Sequence, residues 1–192
     1  MRAAILAILS LLPGLSGAQA VVETGRDADG LRFWAWRGEG IHFKVAQRLP
    51  DQTRAFFMAR GFDRAGADLI ASRCIFRSMF RNTADAGTVE IDLSRWRVLP
   101  HGGEPRHLLT REAWSRRWAD TRVPMPARLA LEWALLPTRQ QYGPGDYNWG
   151  MLSFGLPAAS RFDLRFIWRR DGKEHEARLE NLECARESGN TR

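Results

Sequence analysis

The stretch that decides the fold runs from Arg128 to Cys184 and reads RLALEWALLPTRQQYGPGDYNWGMLSFGLPAASRFDLRFIWRRDGKEHEARLENLEC. Apolar residues recur at every second position in residues 129–135 and again in residues 162–168. Period two is the period of a strand, because successive side chains of a strand point to opposite faces of a sheet. We therefore predict strands over both runs, and a third strand over residues 149–156, which turn residues bound on each side.

A β-hairpin is predicted where Asp171-Gly172 follows the second alternating run. Asp-Gly favours a type I′ turn, because both of its central residues take positive φ angles there. Alternation resumes after the turn with Leu179 and then changes parity at Leu182. A β-bulge near residues 180–181 would restore the register of the second strand.

The rest of the chain predicts further short strands and a few helical pieces. Strands are expected over residues 31–36, 42–46, 74–81, 89–93 and 96–98, and short helices after Pro50, over residues 63–72 and after Thr110. Seven to nine short strands separated by turns, with one or two helical insertions, predict a mainly β fold, an antiparallel immunoglobulin-like β-sandwich.

The last strands also resemble a known family. Residues 150–157 read G-x-L-x-F-x-L-P and lie between a proline–glycine turn and the alternating strand with its hairpin. This order resembles the end of telokin-like, immunoglobulin-like domains of bacterial secreted proteins, over about a third of the chain. The segment before Cys74 has no counterpart there, and the Cys–Trp–Cys spacing of antibody domains is missing. The resemblance implies a binding or accessory module without catalytic residues.

Residues 1–20 are typical of a signal peptide. Arg2 precedes an apolar run over residues 3–12, and Ala18-Gln19-Ala20 is an A-x-A cleavage site. We predict export to the periplasm or beyond, one mature domain over residues 21–185 and a flexible tail over residues 186–192. Later apolar runs are too short to cross a bilayer, so no transmembrane segment is predicted in the mature chain.

The composition predicts partners by class. The formal charge is +7, and all basic residues except Lys44 and Lys173 are arginine. Such a surface could bind polyanions such as nucleic acid or anionic lipid headgroups. The arginines are scattered along the chain and match no nucleic-acid-binding module, so nucleic acid is not an expected partner. An envelope or secreted protein is the expected partner, and an anionic surface is the second choice.

Catalytic and metal motifs are weak in this sequence. No G-x-S-x-G nucleophile motif occurs, and we predict no catalytic residues, although a hydrolase site assembled from distant residues stays open. His101, Glu104 and His107 share one loop and form an alternative copper or zinc site, because imidazole and carboxylate suit both metals. The competing interpretation is that all three are ordinary surface residues of the loop.

The aromatic loop after residue 141 is the preferred binding site in the sequence. Aromatic rings that a rigid scaffold presents on a loop can stack on a partner surface. The candidates are Tyr142, Asp146, Tyr147, Asn148 and Trp149 in the loop, with Arg139 and Arg161 at its rim. The alternative is that Trp149 enters the core and the tyrosines brace the turn. The leading hypothesis is an exported, non-catalytic accessory protein.

An exported chain whose only cysteines are Cys74 and Cys184 is expected to join them in one disulfide, because its compartment is oxidising. The bond would close a loop of roughly 110 residues and stabilise the fold by about 4–5 kcal/mol in the chain-entropy description. Mass spectrometry of the unreduced protein should give a mass two hydrogens below that of the dithiol. Two cysteines that alkylate freely in native protein would contradict the pairing.

Overall fold

The computed structural model describes residues 20–187, which form two antiparallel β-sheets and four α-helices. The strands of the first sheet, in spatial order, are β1 (Val21–Arg26), β2 (Arg32–Gly38), β3 (Ile41–Gln47), β4 (Ile75–Asn82) and β8 (Tyr147–Ser153). Those of the second are β10 (Lys173–Glu183), β9 (Arg161–Arg170), β5 (Val89–Asp92) and β7 (Arg139–Tyr142), with β6 (Arg97–Pro100) also paired to β9. The predicted signal peptide and the end of the predicted tail lie outside the described residues, apart from Ala20.

Aromatic rings from both sheets fill the space between them. Phe43 of β3 and Phe166 of β9 lie 5.0 Å apart between ring centroids, and Trp36 of β2 lies 4.9 Å from Trp168 of β9. The inward positions of β9 are the alternate residues from Phe162 to Trp168, and all of them are buried. Rings of this size supply most of the apolar area that such a core removes from water. The strand predicted over residues 162–168 is therefore confirmed, and the fold is sandwich-like.

The predicted hairpin and its bulge are both present. Asp171 and Gly172 have φ angles of 49° and 79°, as a type I′ turn requires. The pairing of β9 with β10 shifts register between Leu179 and Leu182, and Asn181 in that interval has a φ of 55°. The extra residue keeps both leucines on the inner face, where they are fully buried.

The strand predicted over residues 129–135 is wrong, because this segment lies in helix α4 (Met125–Ala134). In a helix, residues two apart lie about 200° apart and residues four apart lie on one face. Leu131 is buried, whereas Leu129 and Trp133 lie together on the exposed face. Apolar residues on both faces of the helix therefore imitate the alternation of a strand. Pro126 in the first turn suits the start of a helix.

The helices form a layer rather than one or two insertions. Helices α1 (Pro50–Met58) and α2 (Arg64–Ala71) lie between β3 and β4, while α3 (Arg111–Trp118) and α4 lie between β6 and β7. Their apolar faces build a second core with two residues that point out of the first sheet, Ile75 and Met151. The predicted sandwich did not include such a helical layer. The immunoglobulin-like assignment stays a prediction.

Cys74 and Cys184 lie at disulfide-bonding distance, as the sequence predicts. Their Cα atoms are 5.4 Å apart, and both side chains are buried. Cys74 directly precedes β4 of the first sheet, and Cys184 directly follows β10 of the second. The bond thus ties the two sheets together at one end of the sandwich.

Gly150→Ala should destabilise the fold by about 1–3 kcal/mol, because the new methyl group has no room. A Cβ at Gly150 would lie 2.5 Å from the backbone nitrogen of Leu136 and 2.7 Å from its Cα. Urea unfolding would measure the difference. Gly103→Ala is the control, since its Cβ would meet only Pro100, at 3.4 Å. Equal stability of Gly150→Ala and the parent would contradict the close contact.

Candidate functional site

Several large apolar side chains are exposed on α4 and β8. Trp133 of α4 is 79% exposed, and Trp149 and Tyr147 of β8 are 67% and 59% exposed. Met125 and Leu129 precede Trp133 at four-residue intervals on α4 and are exposed as well. These three residues, which we call the α4 stripe, lie on the side of the helix away from Leu131. A cluster of exposed apolar residues, unlike a single one, indicates an interaction surface.

A groove of about 540 Å³ lies between the end of α4 and the outer face of the first sheet. Its apolar walls are formed by Ala46, Phe56, Met79, Trp133, Trp149 and Met151. Volumes of this size are typical of binding sites for small molecules and for short pieces of a larger partner. The two exposed indole rings therefore stand beside a concave surface.

The alternation of side chains along β8 and the glycine at position 150 determine where these two indole rings lie. Trp149 faces outward because it lies two residues before Met151, whose side chain packs in the second core outside the first sheet. Trp149 stands opposite Met79 of β4, which in turn stands opposite Lys44 of β3. Gly150 lets the backbone of residues 135–136 approach β8, where the Leu136 N–H donates to the Met151 carbonyl at 2.9 Å. Helix α4 consequently ends beside Trp149.

The groove also carries positive charge. Lys44, Arg48 and Arg77 line it, and Asp27 is the only acidic residue that does so within residues 20–187. Asp27 forms a salt bridge with Arg77, which leaves the other two cations without an acidic partner in the described part of the chain. The ammonium group of Lys44 lies 3.9 Å from the ring centroid of Phe33, a cation–π contact.

Arg48 is held in an unfavourable setting for a cation. Its guanidinium lies 5.0 Å from the ring centroid of Phe56 and donates to the Gln52 carbonyl at 3.0 Å. Its Nε is buried and has no hydrogen-bond acceptor among residues 20–187. Burial, and then the charges of Arg77 and Arg60, lower the pKa of Arg48. An anion that enters the groove would relieve this cost.

The predicted aromatic loop is divided between the core and the surface. Tyr142 is 1% exposed, and its ring lies 5.1 Å from that of Phe80, so its predicted role in partner binding is wrong. Asp146 accepts a hydrogen bond from the Gly143 N–H at 2.9 Å and braces the turn, and Asn148 is only half-buried. The alternative that Trp149 enters the core is also wrong, because that ring faces solvent.

The predicted rim arginines lie away from the groove. Arg139 binds Asp92 with 3.0 Å between Nε and Oδ2, and Arg161 lies on β9 of the other sheet. Glu90, the neighbouring carboxylate that shares the polar face with Asp92, accepts a hydrogen bond from Gln141 at 2.9 Å. The side chains on this face are thus tied to one another.

The three predicted metal ligands are not brought together. His101 Nε2 lies 3.1 Å from Asp163 Oδ1, and His107 Nδ1 lies 3.0 Å from the Ser94 carbonyl. No group of three or more His, Cys, Asp or Glu side chains that could hold a metal ion occurs within residues 20–187. His101 belongs instead to a hydrogen-bonded cluster around Asp163.

That cluster stabilises the bulge of β10. Burial alone would raise the pKa of the Asp163 carboxyl, but hydrogen bonds from the Asn181 N–H, Arg178 and His101 lower it below its usual value. The Asn181 N–H lies 2.7 Å from Oδ1. The Asp163 carboxylate therefore stabilises the bulged register of the hairpin.

Sequence reasoning identified Trp149 but missed the rest of the groove. Lys44 lies on β3 and Arg48 directly follows that strand, about 100 residues before Trp149, and nothing in their local pattern indicates a site. The signal for Trp133 was present, since Met125, Leu129 and Trp133 recur at the four-residue spacing of one helix face.

Two substitutions of Tyr142 should separate the contribution of its ring to stability from that of its hydroxyl group. Tyr142→Ala is expected to lower the free energy of unfolding by about 3–5 kcal/mol, as other deletions of buried rings do. Tyr142→Phe should change it by no more than about 1 kcal/mol, because the buried hydroxyl has no hydrogen-bond partner among residues 20–187. Urea unfolding measures both. A Tyr142→Ala protein as stable as the parent would show that the ring is not a core element.

None of the four helices within residues 20–187 combines the length and hydropathy needed to cross a membrane. Neither family models, nor curated proteins, nor solved structures give a match to this chain. The likeness of residues 150–157 to telokin-like domains therefore stays a prediction, and the function has to be argued from the groove, the α4 stripe and the charges around them.

Proposed function

We propose that this chain is an exported, non-catalytic binding protein of the bacterial periplasm or envelope, and that it binds a partner protein in the groove beside Trp133 and Trp149. The observation that carries the proposal is the exposure of these two rings, 79% and 67%, on either side of one concave surface. Tryptophan is among the residues that contribute most to binding when a partner buries it.

The elements that hold the two rings support this role. Trp149 lies within β8, which pairs with β4 along its whole length. Trp133 lies on a helix whose opposite face is anchored in the second core by Ala127 and Leu131, both buried. Rings that a scaffold already holds in place lose little conformational entropy on binding, so more of the contact energy appears as affinity.

An exported location is supported by the cysteine pair. Disulfides persist in oxidising compartments and are rare in the cytoplasm. The bonding distance between Cys74 and Cys184 therefore agrees with the signal peptide that the sequence predicts over residues 1–20.

A second candidate partner is an anionic membrane surface. The α4 stripe would favour it, because Met125, Leu129 and Trp133 are exposed in one line on a protein of formal charge +7. Apolar residues with basic surroundings are typical of helices that lie at a bilayer interface. A protein partner fits better, since a flat bilayer cannot fill the groove.

Truncating both tryptophans should strongly weaken partner capture and leave the fold intact. Trp133→Ala with Trp149→Ala is expected to weaken binding of the captured envelope protein roughly thirtyfold or more, which corresponds to about 2 kcal/mol. The melting temperature should change little, because both side chains are exposed. Cross-linking in envelope extract, followed by titration of the captured protein, would measure this.

The matched control is Val21→Ala with Val22→Ala, which truncates two exposed apolar residues on β1, at the opposite edge of the same sheet. This variant should capture the partner as the parent does. Unchanged affinity of the tryptophan variant, or equal loss in the control, would contradict a site at the groove.

A further inference from the structure

We infer that the groove binds an extended segment of the partner in which a large apolar side chain lies against Trp133 and Trp149 and a carboxylate lies against Lys44 and Arg48. This inference rests on the proposed function and adds the chemistry of the bound segment. It follows from the charges in the groove, from its concave shape and from the spacing of the strands beneath it.

The positive charges in the groove favour an acidic group in the bound segment. Asp27 is already bound to Arg77, so Lys44 and Arg48 face the groove without an acidic partner within residues 20–187. A carboxylate in the groove would pair with these two cations, and charge-assisted bonds to guanidinium groups are among the stronger hydrogen bonds in proteins.

The strand register sets the distance between the acidic and the apolar group. Trp149, Met79 and Lys44 are direct partners across β8, β4 and β3. Neighbouring strands lie about 4.8 Å apart, so Lys44 lies about 10 Å from Trp149 across the sheet. An extended chain advances about 3.3 Å per residue and turns every second side chain to the same face, so the two groups should be two or four residues apart in the segment.

The groove is concave and lies between Trp133 of α4 and Trp149 of β8. An apolar side chain of a peptide can enter it together with a neighbouring carboxylate, whereas a flat bilayer cannot follow its shape. The observations therefore favour an acidic, apolar segment of a protein over a membrane surface.

Selection from a display library of random peptides on the full chain tests this inference. The enriched peptides should carry Asp or Glu two or four residues from an aromatic or large aliphatic residue. A synthetic peptide of the enriched sequence should lose at least about tenfold in affinity when Arg48 is changed to Gln, because a charge-assisted hydrogen bond is removed. Lys44→Gln should also weaken it, which gives an independent measurement if Arg48→Gln impairs folding.

Arg161→Gln is the control, since Arg161 is an exposed arginine of the other sheet and should leave the affinity unchanged. Enrichment without an acidic residue, or equal binding by the parent, Arg48→Gln and Lys44→Gln proteins, would overturn the inference.

Two further results separate this inference from the proposed function. If the tryptophan variant loses partner capture but no acidic peptide is enriched, the binding protein stands and the chemistry of its segment is wrong. Binding to phosphatidylglycerol vesicles that Trp133→Ala abolishes, with no peptide enriched, would assign the surface to lipid and overturn the peptide.

Discussion

The approach of the Leu135–Leu136 backbone to Gly150 is the contact on which the functional surface depends. No side chain fits between the two segments, since a Cβ at Gly150 would lie 2.5 Å from the Leu136 nitrogen. The contact ends α4 at the edge of β8, where the Leu136 N–H bonds to Met151. Two tryptophans sixteen positions apart in sequence thereby come to flank one groove.

The groove exists because the helical layer covers only part of the first sheet. Strands β4 and β8 contribute to both cores, with Phe76 and Leu152 on the inner face and Ile75 and Met151 on the outer face. Trp149 lies two residues before Met151, on the same outer face, and there the helices no longer cover the sheet. The outer face of β8 is thus exposed at Trp149 and buried at Met151, only one repeat of the pleat further on.

The sequence correctly predicted those parts of the fold in which apolar residues are buried and polar residues are exposed. In β9, apolar residues face the core and mostly charged ones face outward, and the Asp171-Gly172 turn requires positive φ angles that few residue pairs adopt. Helix α4 broke this rule, because Leu129 and Trp133 are apolar and exposed. Two of the residues that misled the strand prediction, Leu129 and Trp133, belong to the α4 stripe. Local rules are expected to fail at functional surfaces.

The site was harder to predict than the fold, because the register of a strand decides which face of the sheet each side chain points to. A shift of one residue moves a side chain to the other face, so the sequence could not decide that Tyr142 enters the core while Trp149 leaves it. The total charge was equally uninformative. Arg77 is neutralised by Asp27, whereas Arg48 has no such partner within residues 20–187. Specificity in the groove therefore depends on single uncompensated cations beside apolar walls, because charge selects partners while buried apolar area supplies affinity.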